Sequence, residues 1–336
     1  MNYDRLKMML LDRLGPDSVI ENADMRDYTS FKAGGKAKLL VIPEDMDELR
    51  YTLYMLGKAG DCTDCGGCVS CGGCTGCNAE TGGASEAGEP IEYMVIGNGS
   101  NILVRDGGYD GVLVRLGEGF DYVETEADGK VVAGGATLLS SVAAAALREG
   151  LTGFEFASGI PGSVGGACFM NAGAYGGEMK DVLVNVTVIS KDGTVEKLLS
   201  VSELELGYRT SIFEKSGDIV VKAEYRLQPG NKTEIEEKMR ELRQKRNEKQ
   251  PVNLPSAGSF FKRPEGHFAG ALIEGAGLKG LSVGGARVSP LHAGFIVNEG
   301  GATCTDIEQL MCLVQNTVEK ETGVKLEPEV RIIGRA

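Results

Sequence analysis

Two glycine-rich loops, each entered from an apolar run, constrain this chain more than any other feature of its sequence. Tyr93-Met94-Val95-Ile96 runs into Gly97-Asn98-Gly99-Ser100-Asn101, and Ile102-Leu103-Val104 then resumes the apolar pattern. The second loop, Ser158-Gly159-Ile160-Pro161-Gly162-Ser163-Val164-Gly165-Gly166-Ala167, leads to Met170-Asn171-Ala172-Gly173-Ala174-Tyr175-Gly176-Gly177. Glycines just after a strand let successive backbone N–H groups converge on phosphate oxygens, because no Cβ holds the ligand away. A dinucleotide-binding βαβ unit needs a helix after such a turn. Strand-like residues follow Asn101 instead. Two such loops are suited to gripping the two ends of an extended cofactor; the plain alternative is two tight turns that serve only the fold.

Composition narrows the partners. Glycine contributes 49 of 336 residues, about twice its usual share and without a collagen period. Lys and Arg total 35 against 48 Asp and Glu, a net charge of −13. A duplex-binding surface needs clustered cations, so this balance argues against nucleic acid. It leaves room for an anionic small substrate, since a few local cations dominate one cleft. The first fifteen residues interleave Asp4, Arg5, Lys7, Asp12 and Arg13 with apolar ones, which leaves no uncharged run for a signal peptide. No stretch reaches the roughly 18 apolar residues of a spanning helix, so no membrane association is expected. Cytoplasm is the expected location. Nothing in the pattern specifies an oligomeric state.

Hydrophobic spacing predicts a helix over 44–56, with Leu49, Leu53 and Leu56 on one face, and helices over 137–150, 233–249 and 305–322. Thr305 and Glu308 have the capping-box spacing, and Gly323 follows the last helix. Short strands are expected at 38–42, 93–96, 112–116, 121–126, 130–133, 183–190, 194–198 and 219–227. Asp128-Gly129 and Asp192-Gly193 are hairpin signals. Strands and helices are grouped rather than alternating, so the fold class is α+β. The charged helix at 233–249 marks a domain boundary.

One stretch stands apart. Six of the nine cysteines (Cys62, Cys65, Cys68, Cys71, Cys74, Cys77) recur every third position in a glycine-rich, acidic segment without Lys or Arg. It has no apolar period and reads as an insertion at 61–90 between a helix and a strand. Reduced thiols at this spacing point to metal rather than disulfide. Cys62 and Cys65 with Cys74 and Cys77 have the arrangement of a four-thiolate zinc site. The alternative is a thiol-rich loop with no such role.

Three polar clusters lie among apolar or glycine-rich neighbours: Tyr208-Arg209-Thr210-Ser211, Gly258-Ser259-Phe260-Phe261-Lys262-Arg263 and Glu327-Pro328-Glu329-Val330-Arg331. A lone loop Arg is commonly solvated, and a Ser between glycine and aromatic residues is commonly a turn residue. Only His267 and His292 exist, so proton transfer falls to hydroxyl, carboxylate or cofactor.

In this order, the two glycine loops, Asn171-Ala172-Gly173-Ala174-Tyr175-Gly176, Tyr208-Arg209, Gly258 to Lys262 and Glu329-Val330-Arg331 resemble the UDP-N-acetylenolpyruvoylglucosamine reductase family. Thr29-Ser30-Phe31-Lys32-Ala33-Gly34-Gly35 and Gly284-Gly285-Ala286-Arg287-Val288-Ser289 extend the match over nearly the whole chain except 61–90. The resemblance implies a two-part FAD-binding region of the vanillyl-alcohol-oxidase-like flavoprotein type plus an α/β substrate domain. On that reading, 1–92 forms the first FAD-binding domain with its cysteine-rich insertion, and 93–229 the second. Residues 230–325 form the substrate-binding domain, and 326–336 return to the active site. Fifty positions separate Arg209 from Ser259, as in the subgroup without an extra tyrosine-bearing loop.

The resemblance further implies that NADPH reduces FAD and that the substrate is UDP-N-acetylglucosamine enolpyruvate, a UDP-sugar of peptidoglycan precursor synthesis. Hydride goes to the enolpyruvyl methylene carbon. Arg209 and Glu329 serve the developing negative charge, and Ser259 gives a proton to the α carbon. The cofactor falls to Gly97, Asn98, Gly99, Ser100, Asn101, Gly159, Ile160, Pro161, Gly162, Ser163 and Gly166. Tyr175, Lys249, Lys262 and Arg287 are substrate candidates. Two other readings compete: an oxidase of the same flavin fold, and a catalytically silent nucleotide- or metal-sensing protein on the same scaffold.

Overall fold

The computed structural model describes residues 3–58, 91–126 and 128–336. The chain opens on a helix, Tyr3–Leu14, that buries Leu6 and Leu10. A four-stranded sheet follows, in the order Val19–Asp24, Lys36–Val41, Tyr109–Arg115, Tyr93–Ile96. Its first pair is antiparallel and the other two are parallel. The helix Met46–Lys58 lies two residues beyond the predicted span and buries the expected Leu49, Leu53 and Leu56 against this sheet.

The next unit is an antiparallel sheet of five strands ordered Glu196–Ser200, Leu183–Ile189, Ile219–Arg226, Lys130–Gly134, Val123–Thr125. Both predicted hairpins form in it, across Asp128-Gly129 and Asp192-Gly193. Gly193 sits at φ +75°, and Asp192 Oδ1 accepts from the Thr194 N–H at 3.1 Å and the Ser190 hydroxyl at 2.6 Å. An acceptor and a glycine therefore share the work of the turn. The helices Leu139–Glu149 and Val164–Phe169 cover the sheet; their buried Leu139, Val142, Val164 and Cys168 join its core.

Asn231 caps the charged helix Lys232–Lys249, its side chain accepting from the Thr233 N–H at 2.9 Å. The helix adds Ile235 and Met239 to the preceding core. Beyond it, a three-stranded sheet (Ser282–Val283, Ala286–Val288, Ile296–Asn298) packs with the helices Ala269–Gly275 and Cys304–Thr322. The chain then returns: Arg331–Ile333 pairs in parallel with Ile102–Val104, directly after the first glycine loop.

The last helix corrects one expectation. Its capping box is Thr303 with Asp306, not Thr305 with Glu308. Long-range partners occupy the predicted pair. Asp106, from the first unit, accepts the Cys304 N–H, the Thr305 N–H (both 2.8 Å) and the Thr305 hydroxyl (2.6 Å). Glu308 pairs with Arg105 at 3.0 Å. Local spacing named the right motif two residues late, and it carries no information about Asp106.

Among the described residues, no helix is long and apolar enough to cross a membrane, and no group of His, Cys, Asp and Glu is arranged to hold a metal ion. The proposed thiolates Cys62, Cys65, Cys74 and Cys77 lie outside the described residues.

Candidate active site

A cleft of about 830 Å³ runs between the two glycine loops. Gly97 to Asn101 form one wall; Ile160, Gly162, Ser163, Gly165 and Gly166 form the other. The loops touch across it, the Asn98 amide donating to the Pro161 carbonyl at 3.1 Å. A Cβ on Gly97 would stand 2.7 Å from Ser163 Oγ, so the present arrangement of that hydroxyl needs glycine opposite it. Gly99, at φ +65°, likewise has the Tyr28 carbonyl where a Cβ would fall.

Ser163 is buried, lines the cleft and has a hydroxyl without a hydrogen-bond partner among the described residues. Such a group is costly unless something satisfies it. The cleft thus joins glycine-permitted backbone, an unsatisfied hydroxyl and apolar walls such as Ile160 and Val220. These residues fit a flavin dinucleotide, which needs polar contacts for its diphosphate and an apolar slot for its ring.

The same cleft is lined by Tyr208, Arg209, Lys262, Glu329 and Arg331. Arg209 Nε donates to Glu329 Oε1 at 2.8 Å, and the two side chains are only 22% and 10% exposed. Neither orientation arises by chance. Arg209 has φ +56°, and its turn is closed by the Gly207 N–H on the Thr210 carbonyl at 3.1 Å. The buried Asn171 fastens that turn, its amide donating to the Gly207 carbonyl at 3.0 Å. Glu329 is held by three strands of contact. Its N–H donates to the Phe260 carbonyl at 2.8 Å, its carbonyl accepts from the Asn101 amide at 3.1 Å, and Pro328 bridges to Phe261.

Asn101 therefore both lines the cofactor cleft and anchors the C-terminal segment. Ser259 precedes the residue bonded to Glu329, follows Gly258 at φ +77°, and is exposed. Ser259 is not part of the cleft lining, and neither are Tyr175 and Lys249. Gly159 and Pro161 also fall outside the lining, although Pro161 receives the Asn98 amide. Lys262 does line the cleft, with Nζ 3.8 Å from Glu327. Arg287 lies elsewhere, engaged with Glu299 at 2.9 Å and the Gly280 carbonyl at 3.2 Å. Arg331 turns from Glu329 to Glu214, 3.0 Å away, with its guanidinium above the Phe169 ring.

Two residues escaped the reading of the sequence. Asn171 gave no separable signal within its glycine motif. Arg246 gave one: it continues the helical stripe Ile235, Met239, Leu242, so its cation sits where an apolar side chain is expected. Its Nη1 is buried without a partner among the described residues and lies 3.1 Å from where a Gly159 Cβ would be; burial pushes its guanidinium below the usual value. A desolvated, half-satisfied guanidinium beside a glycine loop is a natural anion contact.

Comparison with known proteins identifies this arrangement. The UDP-N-acetylenolpyruvoylglucosamine reductase C-terminal domain family matches residues 250–333, and the FAD binding domain family matches residues 84–199. A UDP-N-acetylenolpyruvoylglucosamine reductase from Alkaliphilus oremlandii is 44% identical over 318 residues, covering 95% of this chain and 94% of the relative. The chain belongs to the UDP-N-acetylenolpyruvoylglucosamine reductase family. A Clostridium botulinum member is 44% identical over 335 residues, 99% of each chain. The crystal structure of UDP-N-acetylenolpyruvylglucosamine reductase from Thermus caldophilus superposes with a TM-score of 0.72 at 34% identity, over 94% of this chain and 98% of that one.

As a member of this reductase family, the chain is an FAD-dependent oxidoreductase. Its architecture is the expected α+β one, with an FAD binding domain match ahead of the reductase C-terminal domain.

Proposed function

We propose that this reductase converts UDP-N-acetylglucosamine enolpyruvate to UDP-N-acetylmuramate with NADPH as reductant, in cytoplasmic peptidoglycan precursor synthesis. One observation carries the reading: Arg209 and Glu329 are paired at 2.8 Å in the lining of a cleft walled by both glycine loops. FAD bound in that cleft supplies hydride chemistry between NADPH and the methylene carbon of the enolpyruvyl group. Gly97 to Asn101, Gly159 to Ser163 and Gly166 would hold it, and the Ser163 hydroxyl is free to bond to it.

The protein's own groups manage charge and proton. Reduction places negative charge on the α carbon and carboxylate, and the Arg209 guanidinium offers fixed donors where that charge develops. Glu329 accepts from Arg209 and so fixes the plane of the fork, which spares the site that reorganisation during reaction. Ser259 holds the proton for the α carbon. A serine is a weak acid, so the low-dielectric cleft and the neighbouring Lys262 and Arg263 support it. Arg246, Lys249, Lys262 and Tyr175 take the anionic part of the sugar nucleotide; Arg287, already paired, is the weakest of the earlier candidates. The division 1–92, 93–229, 230–325 and 326–336, and zinc at Cys62, Cys65, Cys74 and Cys77, belong to the same proposal.

The wider-fold oxidase and the silent sensor predict something else. An oxidase spends NADPH on oxygen without the sugar nucleotide, and a sensor does not turn over. Ser259→Ala tests the assignment of roles. Turnover should fall by a factor of about 10²–10⁴ while flavin stays bound and reducible by NADPH. Near-normal turnover removes Ser259 from the proton-donor role.

A further inference from the structure

Three segments far apart in sequence close a ring of contacts at the cleft, and Tyr208 completes it. Its hydroxyl accepts the Arg263 backbone N–H at 3.1 Å. From Arg263 the ring passes through the Lys262 N–H, which donates to the Glu327 carbonyl at 2.8 Å. It continues along the chain to Glu329, crosses to Arg209 at 2.8 Å, and returns to Tyr208 one residue away. The Arg209 guanidinium also stands 5.2 Å from the Tyr208 ring centroid.

Tyr208 is an unusual choice for this place. It lines the cleft yet is 54% exposed, so packing does not account for it. The phenol performs two separate tasks. Its ring supports the face of the Arg209 guanidinium, an arrangement favourable for a cation over an aromatic face. Its hydroxyl reaches the loop that carries Ser259, four residues before Arg263. The opposite end of that loop is fastened independently, with Phe260 bonded to Gly294 and Glu329. Without the Tyr208 contact, the stretch from Phe261 to Arg263 keeps its tie to the C-terminal segment and loses its tie to the Arg209 turn.

We propose that Tyr208 is a positioning residue: it couples the placement of the Ser259 loop to that of the Arg209 guanidinium, so that proton donor and charge-stabilising group are set together. Tyr208 itself exchanges no proton and carries no charge in the reaction. The inference rests on the roles given above to Ser259 and Arg209.

Single-turnover kinetics on the intact, flavin-loaded protein test it in two separate steps, NADPH-driven flavin bleaching and its reversal by UDP-N-acetylglucosamine enolpyruvate. Tyr208→Phe keeps the ring and loses the hydroxyl. The substrate-driven step should slow about three- to tenfold, the size expected for one hydrogen bond, with NADPH-driven bleaching and melting temperature unchanged. Tyr208→Leu, which also removes support for Arg209, should slow the same step a further two- to fivefold. A substrate-driven step in Tyr208→Phe equal to wild type overturns the proposal. Equal slowing of both steps, or a lowered melting temperature, also overturns it, because it marks a general structural role. If the wild-type protein itself shows no substrate-driven step, the assigned function fails first, and the two failures are distinguishable.

Discussion

At the scale of single residues, the site depends on side chains held where local preference does not put them. Arg209 and Asn171 both have positive φ, at +56° and +43°, a conformation that costs a non-glycine residue about 1–2 kcal/mol. Surrounding hydrogen bonds hold the strain, and the result aims the guanidinium at Glu329. Arg209→Lys keeps the charge and loses the planar fork, so kcat should fall by about 10²-fold or more with flavin content unchanged. Full activity in Arg209→Lys would show that charge alone suffices.

A second prediction at this scale concerns pH. His292 is held below its ordinary value of 6.5, chiefly by burial, and its Nδ1 accepts the Gly294 N–H at 3.1 Å. The folded state therefore binds its proton later than the unfolded chain as pH falls. This contribution to stability is present above about pH 6.5 and is lost as pH drops through the folded value. His292→Gln should flatten the decline of melting temperature between about pH 7 and 5; an unchanged slope would assign the decline to other groups.

At the scale of elements, close approach and capping decide what each segment becomes. Gly97→Ala would bring a methyl to 2.7 Å from Ser163 Oγ and displace the hydroxyl that faces the cleft. Purified protein should carry less flavin, read from the visible-to-ultraviolet absorbance ratio. Gly97→Ala with Ser163→Ala should recover part of it, since the next nearest atom is 3.6 Å away. A flavin content equal to wild type in Gly97→Ala would separate this contact from cofactor binding.

Asp106 caps the last helix from another unit. Burial opposes its ionisation, but the Thr305 hydroxyl and the N–H groups of Thr305 and Cys304 outweigh it, so the carboxyl lies below its ordinary value. Its stabilisation is present above that value and lost in acid. Asp106→Ala should cost about 1 kcal/mol at neutral pH, and the difference from wild type should shrink as the solution is acidified.

Elements were legible where their cause is local. Leu49, Leu53 and Leu56 announce a helix face, and Asp128-Gly129 and Asp192-Gly193 announce turns, because spacing and φ preference act within a few residues. The start of the last helix lies two residues earlier than Thr305 and Glu308 suggest: Thr303 and Asp306 form the box, while Asp106, nearly two hundred residues away, takes the next N–H groups. The opening helix Tyr3–Leu14 was read only for its charges.

At the scale of the whole molecule, the cleft is assembled by the return of the C-terminus. Arg331–Ile333 pairs beside the first glycine loop, and this delivers Glu329 to an arginine 120 positions earlier. No periodicity encodes such a meeting; the sequence suggested it only through the ordered family motifs. Arg246 shows the converse, a cation visible in the helical stripe but interpretable only once Gly159 is beside it.

The insertion is testable at the same scale. If Cys62, Cys65, Cys74 and Cys77 bind zinc, purified protein should contain about one zinc per chain and a 61–90 deletion none. Equal metal content would remove that site.

Substrate-dependent turnover is the decisive property of this protein. Purified protein carrying flavin should oxidise NADPH rapidly only when UDP-N-acetylglucosamine enolpyruvate is present, forming one UDP-N-acetylmuramate for each NADPH consumed. NADPH consumption that is indifferent to the sugar nucleotide, with oxygen as the acceptor, would contradict it.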